Sequence, residues 1–307
     1  MTAESALSAR RITITGGAGF IGRHVARSLR DAGAEVLVAD LQPCCLEGVA
    51  SMVGDLNDRG SIETVVGAGT DAVVHLAART SVLGSIEHPA ETFQTNVAMT
   101  AALLERARTV GVRTFVFAST NAVVGSPPEA PLDERVVLRP LTPYGASKAA
   151  SEMLMSAYES AYGMTCSALR LTNVYGPEMT GKDSVVPRLL RSAAGGGMFD
   201  VYGDGHQRRD YVCVSDVVSA VRLALTDDLP GPLVIGSGRS LSVLELVDLA
   251  REVTGAPIAA RHVPAKKGEM AAVRVDVSRA FAAGWQPRVE IEDGLGAVWA
   301  SWPSRPA

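Results

Sequence analysis

The sequence predicts an α/β fold, a doubly wound parallel sheet with a smaller C-terminal unit. Short apolar runs alternate with helical patterns as far as residue 120, and right-handed crossovers turn that order into a parallel sheet covered on both faces. A glycine-rich turn separates the first strand from the first helix. The 307 residues, 47% apolar and 20% charged, are enough for two domains or one large unit.

The elements follow in order. RITIT (11–15) reads as a buried strand and Ile21 to about Ala32 as a helix. EVLVAD (35–40) and SMVGDL (51–56) read as strands, with a short helix near 60–67. DAVVHLAA (71–78) and TFVFAST (114–120) are further strands. Residues 90–110 between them carry apolar positions at helical spacing over five turns. Five prolines mark 126–143 as a surface loop. A helix spans 147–163 and is stopped by Gly163, and TCSALRL (165–171) is the next strand. The second half is less regular: a short helix near 186–194, helices at 216–225 and 242–255, a strand in GPLVIGSG, and a tail with three tryptophans.

Composition narrows the function classes. With 29 basic and 33 acidic residues the net charge is −4, without the basic footprint of a nucleic-acid binder. No long uncharged apolar run predicts a membrane span, and the first residues lack an apolar segment of signal-peptide type. Cys44, Cys45, Cys166 and Cys213 form no C-x-x-C pair, and no His cluster has zinc-ligand spacing. They read as reduced core or strand residues of a cytoplasmic protein with no metal site.

TGGAGFIG (15–22) places Gly16, Gly19 and Gly22 between a strand and a helix. The first glycine permits the tight turn, and the second lets backbone approach a pyrophosphate on the helix N-terminus. The third permits close packing. Asp40 ends the second strand, about twenty positions on, where a carboxylate accepts from ribose hydroxyls and repels a 2′-phosphate. The pattern therefore predicts a Rossmann-type unit with NAD rather than NADP. Asp55 and Leu56 could reach the adenine edge, or simply close a turn.

Tyr144 and Lys148 stand four apart and share a helix face. A free Tyr is a poor base at neutral pH, and a neighbouring ammonium favours its phenolate. Thr120, just past the fifth strand, could aim a substrate hydroxyl at Tyr144. Alone, Y-x-x-x-K is a common spacing; the dinucleotide fingerprint before it gives it weight.

Taken together these segments resemble the extended short-chain dehydrogenase/reductases of the NAD-dependent epimerase/dehydratase family, in particular UDP-glucose and UDP-glucuronate 4-epimerases. The matching pieces are TGGAGFIG, VADL (38–41), GDL (54–56), HLAA (75–78), ASTNAVVG (118–125), PYGASK (143–148), LRLTNVYGP (169–177), YGDGHQRRDYVCVSD (202–216) and KKGEMAAVRVD (266–276). The resemblance implies that Thr120, Tyr144 and Lys148 are the catalytic trio. It extends the cofactor set to Phe20, Ile21, Leu41, Leu76, Ala77, Ala78 and Asn96. It also implies a substrate set: Thr120, Asn121, Asn173 on a diphosphate or sugar oxygen, Tyr202 against the nucleobase, Arg209 on the diphosphate and Glu269 on the nucleoside ribose. Lys266 stands where relatives often carry a second phosphate-binding Arg, with Arg274 as a nearby substitute. The implied domains are an NAD-binding unit at 1–174, rejoined by about 210–236, and a smaller nucleotide-sugar-binding unit at 175–307. A homodimer through the helices at 92–110 and 147–161 is the implied assembly.

Within that family, dehydratases resemble one another in an Asp-Glu pair after the catalytic Thr, and glucuronate decarboxylases usually carry the Glu. Here the residues are Asn121 and Ala122, which cannot serve as acid or base. What remains suits 4-epimerisation: oxidation at the sugar C4, rotation of the 4-keto sugar and reduction on the opposite face. The alternatives are a 4-ketoreductase or dehydrogenase, a decarboxylase or dehydratase, and a non-catalytic NAD-binding regulatory protein. Val124 stands where relatives carry an aromatic, and a pocket gatekeeper falls near Val273. Arg79, Lys182, Arg188 and Arg191 are the candidate partners for a uronate carboxylate.

Overall fold

The protein is described by a computed structural model that covers residues 6–125, 131–227, 229–265 and 273–303. The first half runs β1 (Arg11–Thr15), α1 (Phe20–Asp31), β2 (Glu35–Asp40), β3 (Ala50–Val53), α2 (Arg59–Val65), β4 (Ala72–His75), α3 (Val82–Glu87), α4 (Pro89–Phe93), α5 (Met99–Thr109) and β5 (Thr114–Thr120). Then follow α6 (Pro143–Tyr162), β6 (Thr165–Leu171), β7 (Asn173–Tyr175), α7 (Val185–Gly195), β8 (Phe199–Tyr202), β9 (Arg208–Cys213), α8 (Val214–Thr226) and β10 (Gly231–Ile235). The chain closes with β11 (Ser240–Ser242), α9 (Val243–Thr254), β12 (Ala260–Val263), α10 (Ser278–Ala282) and α11 (Ile291–Ala300).

Seven strands form one parallel sheet in the order β3-β2-β1-β4-β5-β6-β10. Strand order reverses between β1 and β4, so their C-terminal ends splay apart and leave the crevice where such sheets bind ligands. Side chains alternate between faces. Val74 and Val116 pack with Val25, Leu29, Val217 and Val221 of α1 and α8. Val73, Phe115 and Phe117 pack with Leu103, Leu104 and Met155 of α5 and α6 on the other face. A second core gathers Leu189, Leu190, Val201, Leu246 and Leu295 from α7, β8, α9 and α11. Around it lie a three-stranded sheet, β11-β9-β7, and the parallel pair β12-β8.

Four expectations change. The single helix at 90–110 is α4, a wide π-helical turn at Gln94–Ala98, and α5. That turn directs Asn96 into the interior, where its side chain meets Arg79 and Ser147. The helix at 147–163 begins earlier, at Pro143, because Thr142 caps it by accepting from Gly145 N at 3.2 Å, and Pro suits the first helical position. The strand ends at 51–56 and 71–78 stop at Val53 and His75, which frees the following residues to line the crevice. All four cysteines are free thiols, and Cys45 is exposed rather than in the core.

Candidate active site

A cleft of about 520 Å³ opens at the switch point between β1 and β4. Its floor is the glycine turn. Gly16 has φ +70°, and a Cβ there would lie 2.6 Å from Ala77 N. A Cβ on Gly22 would lie 2.3 Å from Gly16 O, so α1 can sit on this turn only without a side chain. The first turn of α1 has neither a side-chain cap nor an acidic residue. Its unpartnered amides therefore suit an anion such as a pyrophosphate.

The walls hold most of the sequence-predicted cofactor residues: Gly16, Gly19, Phe20, Ile21, Gly22, Asp40, Leu41, Asp55, Leu56, Leu76, Ala77, Ala78, Tyr144 and Lys148. Asp40 works locally as well, accepting from Ala18 N and from Gln42 N, both at 3.1 Å. Asp55 accepts from the backbone and side-chain amides of Asn57, closing a turn at the cleft edge. Asn96 does not line the cleft. Buried behind it, Asn96 accepts from Arg79 N and donates to Arg79 O and Ser147 Oγ, tying the loop after β4 to α6.

His75 completes that anchoring, and sequence reasoning assigned it no role. Thr100 Oγ1 donates to Asn96 O, so it accepts from His75 Nε2; Thr15 Oγ1 then donates to His75 Nδ1 while accepting from Ala77 N. This chain holds the imidazole neutral, and burial, with the nearby Lys148 charge, pushes its pKa down to about 3.

Thr120, Tyr144 and Lys148 meet at one end of the cleft. A Cβ on Gly145 would lie 2.4 Å from Ala122 O, so the turn after β5 rests directly on the first turn of α6. That contact brings Thr120 and Tyr144 into hydrogen-bond contact. Burial pushes the Tyr144 phenol up to about 12, and the Thr120 hydrogen bond opposes that rise. The sequence suggested an ammonium drawing Tyr144 towards phenolate. The structure instead turns Lys148 Nζ towards Ala118 O, at 2.8 Å, and 4.4 Å from the Phe117 ring centroid. Burial lowers the Lys148 pKa to about 7, against the charge of Glu152.

The remaining candidates lie apart from the cleft lining. Asn121 is buried beside Thr120, its Nδ2 without a partner. Asn173 is exposed and donates to Asp210 O at 2.9 Å. Arg209 donates to Arg208 O. Tyr202 carries the Arg188 guanidinium 5.3 Å over its ring. Arg274 is exposed, and Lys266 and Glu269 lie outside the described residues. Of the cations considered for a carboxylate, Arg79 and Lys182 line the cleft. Arg191 instead binds the carbonyls of Thr180 and Lys182. Val273 packs in a small core with Val123, Val124 and Leu132 and is not among the residues that line the cleft.

Comparison with known proteins settles the family. The model for the NAD dependent epimerase/dehydratase family matches residues 12–236. The chain belongs to that family. Its cofactor is NAD. The glycine floor, the uncapped α1 and Asp40 at the end of β2 fit that cofactor. The chain is 36% identical to a dTDP-glucose 4,6-dehydratase of Streptomyces niveus over 93% of its own length and 90% of that protein's. Its fold is similar to UDP-glucose 4-epimerase from Thermotoga maritima with UDP-glucose, at TM-score 0.91 and 32% identity, covering 95% and 98% of the two chains. It is also similar to MoeE5 in complex with UDP-glucuronic acid and NAD, at TM-score 0.87 and 33% identity, covering 95% and 98%.

Proposed function

We propose that this protein is a UDP-sugar 4-epimerase acting on UDP-glucuronate or UDP-glucose through a transient 4-keto sugar. The observation that carries the reading is the composition of one cleft end: Thr120, Tyr144 and Lys148 meet there, and the turn that follows Thr120 holds Asn121 and Ala122 with no carboxylate. Tyr144 Oη takes the proton of the sugar 4-hydroxyl and later returns it, and the Thr120 hydroxyl orients that exchange. Lys148, one helical turn after Tyr144, keeps its amine at the same end of the cleft. NAD, when bound, supplies the hydride acceptor and donor. The diphosphate falls to Asn173 and Arg209, and the nucleobase to Tyr202. Arg79 and Lys182 are the cations within reach of a sugar carboxylate.

The test is proton NMR of UDP-glucuronate and, separately, UDP-glucose with the protein and NAD+. Growth of a galacto-type H-4 signal to a fixed ratio is the expected result with at least one substrate. A 4-keto-6-deoxy product, or a pentose formed by loss of the carboxylate, would overturn the inference from Asn121 and Ala122.

A further inference from the structure

The short helix α3 is seated the wrong way round for its composition. Apolar burial would turn Val82, Leu83 and Ile86 of VLGSIE towards the interior. Instead those three side chains are 41%, 47% and 50% exposed, and Ser85 is the residue turned inward, 1% exposed. The Ser85 hydroxyl donates to Val82 O at 2.6 Å, which leaves its oxygen to accept. It accepts from Tyr144 N at 3.1 Å, a residue 59 positions further along the chain. The contact that seats α3 against the start of α6 is therefore a polar one, made to the backbone of a cleft-lining residue.

Tyr144 is the second residue of α6, where a backbone amide has no acceptor within its own helix. The next amide, Gly145 N, is served by Thr142 Oγ1 at 3.2 Å, three positions back along the chain. That bond is local: it forms wherever the helix start goes and fixes it against nothing else. Ser85 belongs to another element, so its bond fixes Tyr144 in space. The Tyr144 carbonyl is tied at one remove: it accepts from Ser147 Oγ at 2.8 Å, and Ser147 Oγ accepts from Asn96 Nδ2 at 3.0 Å. Both backbone polar groups of Tyr144 thus lead to the stretch 85–96, which follows Arg79 and Thr80 of the cleft lining. The seat of Gly145 on Ala122 O sets how closely α6 approaches the turn after β5. One such contact leaves the helix start free to rock about it, and a hydrogen bond to the adjoining residue removes that freedom.

We propose that Ser85 is a positioning residue for Tyr144, holding the start of α6 so that the phenol meets the Thr120 hydroxyl. The proposal rests on reading Tyr144 as the proton-transfer residue. Proton transfer needs that meeting kept to a fraction of an ångström, and a displacement of about 1 Å is enough to lose much of the rate. A serine serving only as a helix cap would weaken folding when removed, just as Thr142 does, and leave Tyr144 in register with Thr120.

Ser85→Ala and Thr142→Ala each strip one acceptor from the first turn of α6, and the experiment compares them. The chain has six tyrosines, so labelling with 3-fluorotyrosine gives few 19F signals. The Tyr144 signal is identified by its loss in Tyr144→Phe, and its position without the Thr120 hydroxyl is read from Thr120→Val, all in protein saturated with NAD+. In Ser85→Ala the Tyr144 signal is expected to move at least halfway to the Thr120→Val position. In Thr142→Ala it should stay where the wild type has it. Sugar turnover should show kcat lowered about tenfold in Ser85→Ala with KM and NAD binding unchanged, and kcat kept in Thr142→Ala. The urea midpoints of the two variants should fall to a similar extent. A Tyr144 signal that does not move in Ser85→Ala overturns the proposal, as does the same displacement and the same loss of kcat in both variants. Because the spectra need no turnover, they stand or fall apart from the 4-epimerase reading, which the sugar NMR tests.

Discussion

The two ends of the proposed active site are built differently. Around Thr120, Tyr144 and Lys148, nearly every polar group has an internal partner: His75 between two threonines, Asn96 across Arg79 and Ser147, Glu152 against Arg170. These residues sit at strand ends and on α6, packed against the main core. At the other end, Asn173 and Arg274 are exposed, and Arg209 and Tyr202 are half-buried on strands of the second core. What joins this end to the sheet is Asp210. Its buried carboxylate accepts from Ser237 N at 2.8 Å and Ser237 Oγ at 3.0 Å, and burial pushes its pKa up. The contrast separates two tasks. Groups that move protons need fixed geometry, which a packed network supplies. Groups that hold a charged, flexible ligand need reach and access to water.

The sharpest way to break the comparison is at the rigid end. Tyr144→Phe should lower kcat about 10³-fold while NAD binding is kept, measured by sugar turnover beside NAD titration. An active variant would remove Tyr144 from the chemistry.

Next comes acid sensitivity. The folded-state pKa of His75, about 3, lies below its ordinary 6.5, so between those values the unfolded chain binds more protons and stability falls as pH falls. The loss reaches roughly 4 kcal/mol by pH 3. Urea unfolding at stepped pH should show that slope in the wild type and a flatter one in His75→Leu. Equal slopes would separate His75 from the effect.

At the open end a smaller effect of another kind is expected. Arg209→Ala should raise KM for the UDP-sugar about tenfold with kcat nearly unchanged, the signature of lost uniform binding. A fall in kcat alone would place Arg209 with the rigid end. The smallest effect belongs to the helix cap. Thr142→Ala should cost about 1 kcal/mol in denaturant unfolding, because it strips one acceptor from the start of α6.

The sheet is legible in the sequence because a buried parallel strand writes itself as a near-continuous apolar run, as in VLVA of β2 and AVV of β4. The glycine turn is legible for the same local reason, since a tight turn under a helix leaves no room for Cβ. The π-helical turn at Gln94–Ala98 is not, because Asn96 turns inward to partners at 79 and 147 that no short window contains. The start of α6 hides inside a proline-rich stretch, although Thr142 and Pro143 are themselves start signals. At the candidate site, the four-residue spacing of Tyr144 and Lys148 can be read from the chain, but their protonation cannot. Burial decides it, with Phe117 and Ala118 of the facing strand enclosing the Lys148 amine.

The seat of Ala122 O above Gly145 has an evolutionary meaning. It fixes the backbone of the turn that follows Thr120 without using the side chains of Asn121 and Ala122 at all. By the family resemblance, those two positions are where dehydratases carry an Asp-Glu pair. A lineage on this scaffold can therefore change its reaction by two substitutions on an unchanged turn, leaving the proton-transfer residues in register throughout. Reaction type becomes a lightly held trait on a heavily constrained frame, and descendants of one such gene can diverge in product long before they diverge in shape.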